Sequence, residues 1–172
     1  MISLVLTVIG PDRAGLVEAI SKTIVSHGGS WVESRMARLC GQFAGILRVS
    51  LPEGHVAALT ASLESLGDDG LQIVLQRGVD EAEEALPALL ELRVVGSDQP
   101  GIVSQFSKVL AESKASIDVL ETECEGAPWS GEALFRAYAK VRLPDGLDAL
   151  DLRRSLEGIA ADLMVDVSLD DD

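Results

Sequence analysis

The sequence predicts an α+β fold built from two copies of a βαββαβ unit, each an antiparallel four-stranded sheet with both helices on one face. Three observations predict it: an internal repeat, apolar residues that alternate between strand and helix spacing, and turn residues between the runs. Hydrophobic residues make up 47% of the chain and aromatic residues only 3%, so Leu, Val, Ile and Ala must form the cores. Because each unit has a thin core, we expect its free sheet face to be covered by the other unit or by a second copy, as in a homo-oligomer.

The repeat is clearest after the first strand. The fifteen residues from Gly10 align with those from Gly96 at an offset of 86, and six of the fifteen are identical. Composition alone would give about one match. Farther along the offset becomes 92, because six residues are inserted in the turn-rich stretch 126–131 of the second copy. We therefore expect a first domain at 1–77, an acidic linker at 78–86, a second domain at 87–169 and an acidic tail at 170–172.

The strands and helices of the first copy are predicted from the spacing of apolar residues and from the glycines and prolines that end each run. The apolar, β-branched run 2–9 predicts a strand that Gly10 and Pro11 end. The spacing of Leu16, Ile20 and Ile24 predicts a helix that stops at the glycines 28 and 29. The same criteria predict strands at 30–40, 42–51 and 71–76 and a helix at 56–66. In the second copy they predict strands at 88–95, 116–125, 132–143 and 163–169, with helices at 102–112 and 147–159. This order is that of the ferredoxin-like split βαβ unit.

The turn after each first strand carries a short motif. It reads Gly10-Pro-Asp12-Arg-Ala14-Gly15-Leu16-Val in the first copy and Gly96-Ser-Asp98-Gln-Pro100-Gly101-Ile102-Val in the second. The motif resembles the G-x-D-x-P-G-[LI]-[VL] pattern that leads into the first helix of ACT domains. The second copy keeps the Pro-Gly pair, whereas the first has alanine before its glycine. Over nearly its whole length the chain resembles the tandem ACT-domain proteins of the glycine cleavage system transcriptional repressor group.

This resemblance implies a function. ACT domains bind free amino acids around this turn, so it implies a non-enzymatic regulator that senses a small amino acid or related metabolite. Such a regulator acts on a protein partner, for example a DNA-binding regulator in transcriptional repression of glycine metabolism. The alternative is a pure interaction scaffold whose ACT sites are empty. The candidate ligand-binding residues are Gly10, Asp12, Ala14, Gly15, Leu16, Gly96, Asp98, Pro100, Gly101, Ile102, Ser116 and Asp118, of which the last two could contact a ligand amino group.

The physical chemistry of the turn fits two roles. A helix N-terminus favours a carboxylate, and a glycine lets a ligand approach the backbone closely. Alternatively, Asp12 and Asp98 simply cap the helices and Gly15 and Gly101 only allow helix and sheet to pack. The two roles compete, because a capping carboxylate would occupy the N–H groups that a ligand carboxylate needs.

Composition excludes several other classes. The net charge is −14 without a basic stripe, so we expect no direct binding to nucleic acid or to anionic membranes. The start of the chain lacks the features of a secretory signal, and no apolar run approaches the length of a bilayer span. Cys40 and Cys124 are far apart and no Cys/His cluster exists, which indicates reduced thiols in a cytoplasmic protein without metal or cofactor. No hydrolase, P-loop or zincin motif is present, so we expect no catalytic residues.

One charged stretch of the second strand is interpreted as structural. Glu33 and Arg35 lie two residues apart and therefore share one face of the strand, with Arg38 farther along. A solvated or ion-paired strand face is the simplest interpretation of all three residues.

Overall fold

A computed structural model of the chain describes residues 1–78, 89–126 and 133–171. The chain folds into two compact units, Met1–Ala82 and Glu83–Asp172. Most of the predicted acidic linker and of the six-residue insertion lies outside the described residues.

The first unit is a four-stranded antiparallel sheet with strand order β2-β3-β1-β4. Short 3₁₀ turns precede and follow its second helix, at Glu53–His55 and Ser65–Asp69. The elements are β1 (Ile2–Pro11), α1 (Leu16–Ser26), β2 (Ser30–Leu39), β3 (Gln42–Leu51), α2 (Val56–Glu64) and β4 (Gln72–Arg77).

The second unit repeats this topology with strand order β6-β7-β5-β8, again antiparallel throughout. Its elements are β5 (Leu89–Ser97), α3 (Ile102–Glu112), β6 (Ser116–Gly126), β7 (Ala133–Arg142), α4 (Ala149–Leu163) and β8 (Val165–Asp171). The last strand thus includes the first two residues of the expected acidic tail. The predicted α+β fold, with two βαββαβ units in tandem, is confirmed.

Several predicted boundaries were wrong by two residues or more, among them the ends of β1 and α4. The first strand does not end at Gly10, because Pro11 still pairs with Gln42 at the last position of the ladder. The last helix does not end at residue 159 but continues to Leu163, and Met164 ends it in the left-handed conformation with φ 50°. The helix continues because Leu163 extends the buried stripe that Leu156 belongs to, so both side chains pack in the core.

A separate hydrophobic core lies between the sheet and the helices of each unit. Alternate residues of the central strands point toward the helices. Each helix packs one stripe of apolar side chains against them. Core residues of the first unit include Leu4, Leu6, Val8, Ile20, Ile24, Leu59 and Leu63, and those of the second include Leu92, Val94, Phe106, Val141, Leu152 and Leu156. No helix in the described ranges is long and apolar enough to cross a membrane.

The C-terminal end of β1 lies tightly against the residues just before β4, and the C-terminal end of β5 lies tightly against the residues just before β8. A Cβ atom added at Gly10 would lie 2.8 Å from the carbonyl oxygen of Gly70, and one added at Gly96 would lie 2.5 Å from that of Met164. Both distances are too short for a carbon–oxygen contact, so only glycine fits without a backbone shift. The first glycine of each copy of the motif therefore has a packing role.

We predict that Gly96→Ala destabilises the protein by about 1–3 kcal/mol, the usual cost of forcing an extra carbon into a packed site. Gly158→Ala is the matched control, because this helix position has open space around it and alanine favours helix by about 0.5–1 kcal/mol. Urea unfolding followed by circular dichroism measures both effects. Equal unfolding midpoints for Gly96→Ala and the wild type would contradict the steric role of Gly96.

Candidate functional site

In both units the first strand enters the first helix through a glycine in the left-handed conformation. Gly15 has φ 90° and Gly101 has φ 102°, and each is the N-cap of its helix. Residues with a Cβ rarely adopt this backbone conformation, so glycine is required here for a backbone reason. A Cβ at either position would have no atom within 4 Å, which shows that the space beside the turn is open.

The alternative in which the motif aspartates cap the helices does not hold in this structure. Among the described residues, no side chain accepts a hydrogen bond from the N-cap region of α1 or α3. The contrast is α4, where the N-cap Asp148 accepts a hydrogen bond of 2.8 Å from the Leu150 amide. A capping side chain usually belongs to the N-cap residue itself, and here that residue is a glycine without a side chain. Asp12 and Asp98 lie three residues earlier.

Asp12 is instead bound to the hairpin between β2 and β3. Its amide donates to the carbonyl oxygen of Gly41 at 2.9 Å. Its carboxylate forms an ion pair with Arg38, with 2.6 Å between Oδ2 and Nε. Arg38 lies directly opposite Phe43, which packs on the first core, so Arg38 is on the sheet face that carries the helices. Arg38 is ion-paired, as the sequence suggested, but it lies on the opposite sheet face from Glu33 and Arg35, and its partner Asp12 was not predicted.

Asp98 occupies the corresponding place in the second unit, with a different partner. Its amide donates to the carbonyl oxygen of Ala133 at 2.8 Å. Its carboxylate lies close enough to the Cys124 thiol to interact with it electrostatically. Cys124 lies opposite Phe135, as Arg38 lies opposite Phe43. Desolvation first, and then the neighbouring Asp98 carboxylate, raise the pKa of the Cys124 thiol although the residue is exposed. Within the described ranges no cation pairs with Asp98.

The remaining motif residues form the walls of these turns. Leu16 and Ile102 are almost fully buried and anchor the first turn of each helix in the core. Ala14 and Pro100 are exposed immediately before the left-handed glycines. The side chain of Gln99 donates to the carbonyl oxygen of Leu163 and thereby ties the second turn to the end of α4.

Ser116 and Asp118 do not belong to the same site as Asp98. They lie at the start of β6, whereas Cys124, which contacts Asp98, lies near its end. Six residue steps along the strand separate Asp118 from Cys124, which is about 20 Å at 3.3 Å per residue. Asp118 stands at a β-bulge and its carboxylate is held by the Arg142 guanidinium. One ligand of amino-acid size cannot contact both ends of this strand in one unit.

A cleft that sequence reasoning missed lies on the second sheet. It has a volume of about 310 Å³ and is lined by β5, β6 and β7. Its arginines are already engaged: Arg93 pairs with Glu91 at 2.8 Å and lies over the Tyr138 ring, and Arg136 pairs with Glu125 at 2.8 Å. Alternation of outward-facing charged residues on the strands would have indicated this surface.

The structure groups the two histidines without forming a metal site. The Nδ1 atom of His55 donates to the carbonyl oxygen of His27 at 2.7 Å, and the His27 ring lies 3.2 Å from the Ser62 hydroxyl. These bonds link the end of α1 to α2. Across the described residues, no group of three or more His, Cys, Asp and Glu side chains is placed to hold a metal ion.

We predict that Asp98→Asn accelerates alkylation of Cys124 by iodoacetamide several-fold. Removing the negative charge beside the thiol lowers the thiol pKa, so more reactive thiolate is present at any pH below that pKa. The measurement uses a Cys40→Ser background, which leaves Cys124 as the single thiol. Asp12→Asn in the same background is the control, since Asp12 contacts Arg38 instead. If Asp98→Asn left the rate unchanged, the Asp98–Cys124 contact would be contradicted.

Comparison with known proteins agrees with this architecture. The ACT domain family model matches residues 3–76. The chain is 24% identical over 161 residues to the glycine cleavage system transcriptional repressor of Escherichia coli, covering 93% of this chain and 85% of that protein. The crystal structure of an unknown protein from Galdieria sulphuraria superposes with a TM-score of 0.89 at 34% identity, covering 99% of this chain and 98% of that one.

A second crystal structure, of a putative glycine cleavage system transcriptional repressor, covers 98% of this chain and 96% of its own. Its TM-score is 0.72 at 20% identity, which supports the fold. The family match lies on the first unit, and the second unit repeats its topology strand by strand. The first unit is therefore an ACT domain, and the chain contains two ACT-like units in tandem.

Proposed function

We propose that this chain is a non-enzymatic regulator that binds a small amino acid or related metabolite at the turn of an ACT unit and acts on a protein partner. The observation that carries the proposal is the arrangement at Gly101. The N-terminus of α3 has no side-chain cap among the described residues, and the Asp98 carboxylate belongs to the same turn.

This arrangement offers complementary groups to an amino acid. Uncapped N–H groups and the positive end of the helix dipole favour the ligand carboxylate. The Asp98 carboxylate favours the ligand ammonium group. The glycine at the N-cap leaves open space beside the backbone, where a small ligand fits. Because these groups belong to one short turn, few residues have to be ordered when the ligand binds.

The kind of partner on which this chain acts is inferred from its net charge and from its sequence similarity to a repressor. The similarity to a transcriptional repressor over most of the chain supports a regulatory role. A net charge of −14 opposes direct contact with DNA phosphates, so we propose that a DNA-binding protein partner carries any transcriptional effect.

The second candidate is an interaction scaffold whose ACT sites are empty. One observation favours it: the Asp12 carboxylate of the first turn is already paired with Arg38, so that turn holds no free acidic group for a ligand. The two candidates differ in whether any free amino acid stabilises the protein.

We predict that at least one of the twenty free amino acids raises the melting temperature in a thermal-shift screen. A ligand at one hundred times its Kd stabilises the folded protein by about 2.7 kcal/mol. Gly101→Asn is the matched variant, because asparagine tolerates positive φ and places a side chain in the open space beside the turn. This variant should melt near the wild type without ligand and lose the ligand-induced shift. A screen without any shift would reject the sensor and favour the scaffold.

A further inference from the structure

The two turns have the same backbone conformation but differ in charge at equivalent positions. Arg38 and Cys124 occupy the same place in the repeat, and each contacts the motif aspartate of its own unit. A second position differs in the same sense, since Arg13 of the first turn corresponds to Gln99 of the second. The first turn therefore has two cationic positions and the second has neutral residues at both.

This difference changes what each aspartate can accept. Arg38 already neutralises Asp12, so a ligand ammonium group would have to displace it. Cys124 holds the position in the second ladder that Arg38 holds in the first, and no cation of the described residues pairs with Asp98. A carboxylate has about four acceptor positions. Asp98 can therefore take a ligand cation while it keeps Cys124 as a neighbour.

We infer that Arg38 takes the place of the ligand cation and so weakens binding at the first turn, whereas Cys124 leaves the second turn open to a small ammonium-bearing ligand. The residue facing the motif aspartate thus decides which unit binds more tightly. This inference rests on the proposed function, because it specifies the unit and the chemical group that bind.

The size of the effect follows from exposure. The Arg38 side chain is 68% exposed and that of Asp12 is 32% exposed, so their ion pair is screened by solvent. Exposed pairs contribute up to about 1 kcal/mol, which corresponds to a factor of about five in affinity. An arginine placed at the Cys124 position should therefore weaken binding about five-fold or more, since its side chain also fills space near Asp98.

The test uses reciprocal variants of the full chain: Arg38→Cys and Cys124→Arg, with Cys124→Ser as the control that keeps a neutral donor beside Asp98. Each is titrated by isothermal calorimetry with each of the twenty free amino acids, after circular dichroism has shown a normal melting transition. In the wild type and in Cys124→Ser we expect one high-affinity site per chain, with binding at the first turn at least about five-fold weaker. We expect at least about five-fold weaker binding in Cys124→Arg, and a second high-affinity site in Arg38→Cys.

The outcomes separate the inference from the proposed function. Undiminished binding by Cys124→Arg overturns the inference and leaves the proposed function standing. Binding by Arg38→Cys but not by the wild type also overturns it, because the second turn should already be open. If Cys124→Arg does not fold, the Arg38→Cys arm decides alone, and a single unchanged high-affinity site there is the contradicting result. No binding by any folded variant rejects the proposed function and the inference with it.

Discussion

In each unit a glycine with strongly positive φ, 90° at Gly15 and 102° at Gly101, turns the end of the central strand into the first helix. The geometry of the candidate site depends on this turn. Because the N-cap residue is a glycine, it has no side chain with which to cap the helix, and the adjacent space stays open. At the start of each turn, Gly10 and Gly96 press against backbone oxygens and hold the strand end in place. The strand end of the turn is thus tightly packed against backbone atoms, whereas the space beside the glycine at the helix end is open.

Because the turn occurs twice, the two units can share a backbone conformation and still differ in the charged groups around it. The backbone requirements are the same in both units, so the glycines recur at an offset of 86. The polar contacts around Asp12 and Asp98 are exposed and contribute little to stability, which leaves their partners free to differ. The first unit has an arginine at the position where the second has a cysteine. Steric requirements therefore give both turns the same backbone geometry. The charge beside the motif aspartate differs between the two units, which have the same fold.

Sequence reasoning was sufficient for the fold and for part of the site. Apolar spacing and turn residues predicted each strand and helix, since core packing imposes those patterns directly. The end of α4 was misplaced because Leu163 suits both the helix stripe and a following strand. Gly15 and Gly101 were expected to allow close approach of a ligand or close packing of helix and sheet. The structure instead gives them positive φ with open space beside them, which no spacing in the sequence indicated. The contact between Asp12 and Arg38 was not predicted, because it depends on how the β2–β3 hairpin returns the chain.

The grouping of Ser116 and Asp118 with the turn failed for a geometric reason. Closeness to the turn was inferred from the start of β6, but the long strand carries that end away from Asp98. Comparing the two repeats position by position would have revealed the exchange of Arg38 for Cys124. It would not have revealed what those residues contact, which needed the fold.

The most direct measurement is a titration of the ¹⁵N-labelled chain with the amino acid that stabilises it most, followed by amide resonances. If the second turn binds the ligand, the largest shifts will be those of Gly101, Ile102 and their neighbours in the first turn of α3, with much smaller changes at Gly15 and Leu16. Largest shifts on the opposite sheet face, around Arg93 and Tyr138, or unchanged amides in the Gly101 turn at saturation, would contradict the account.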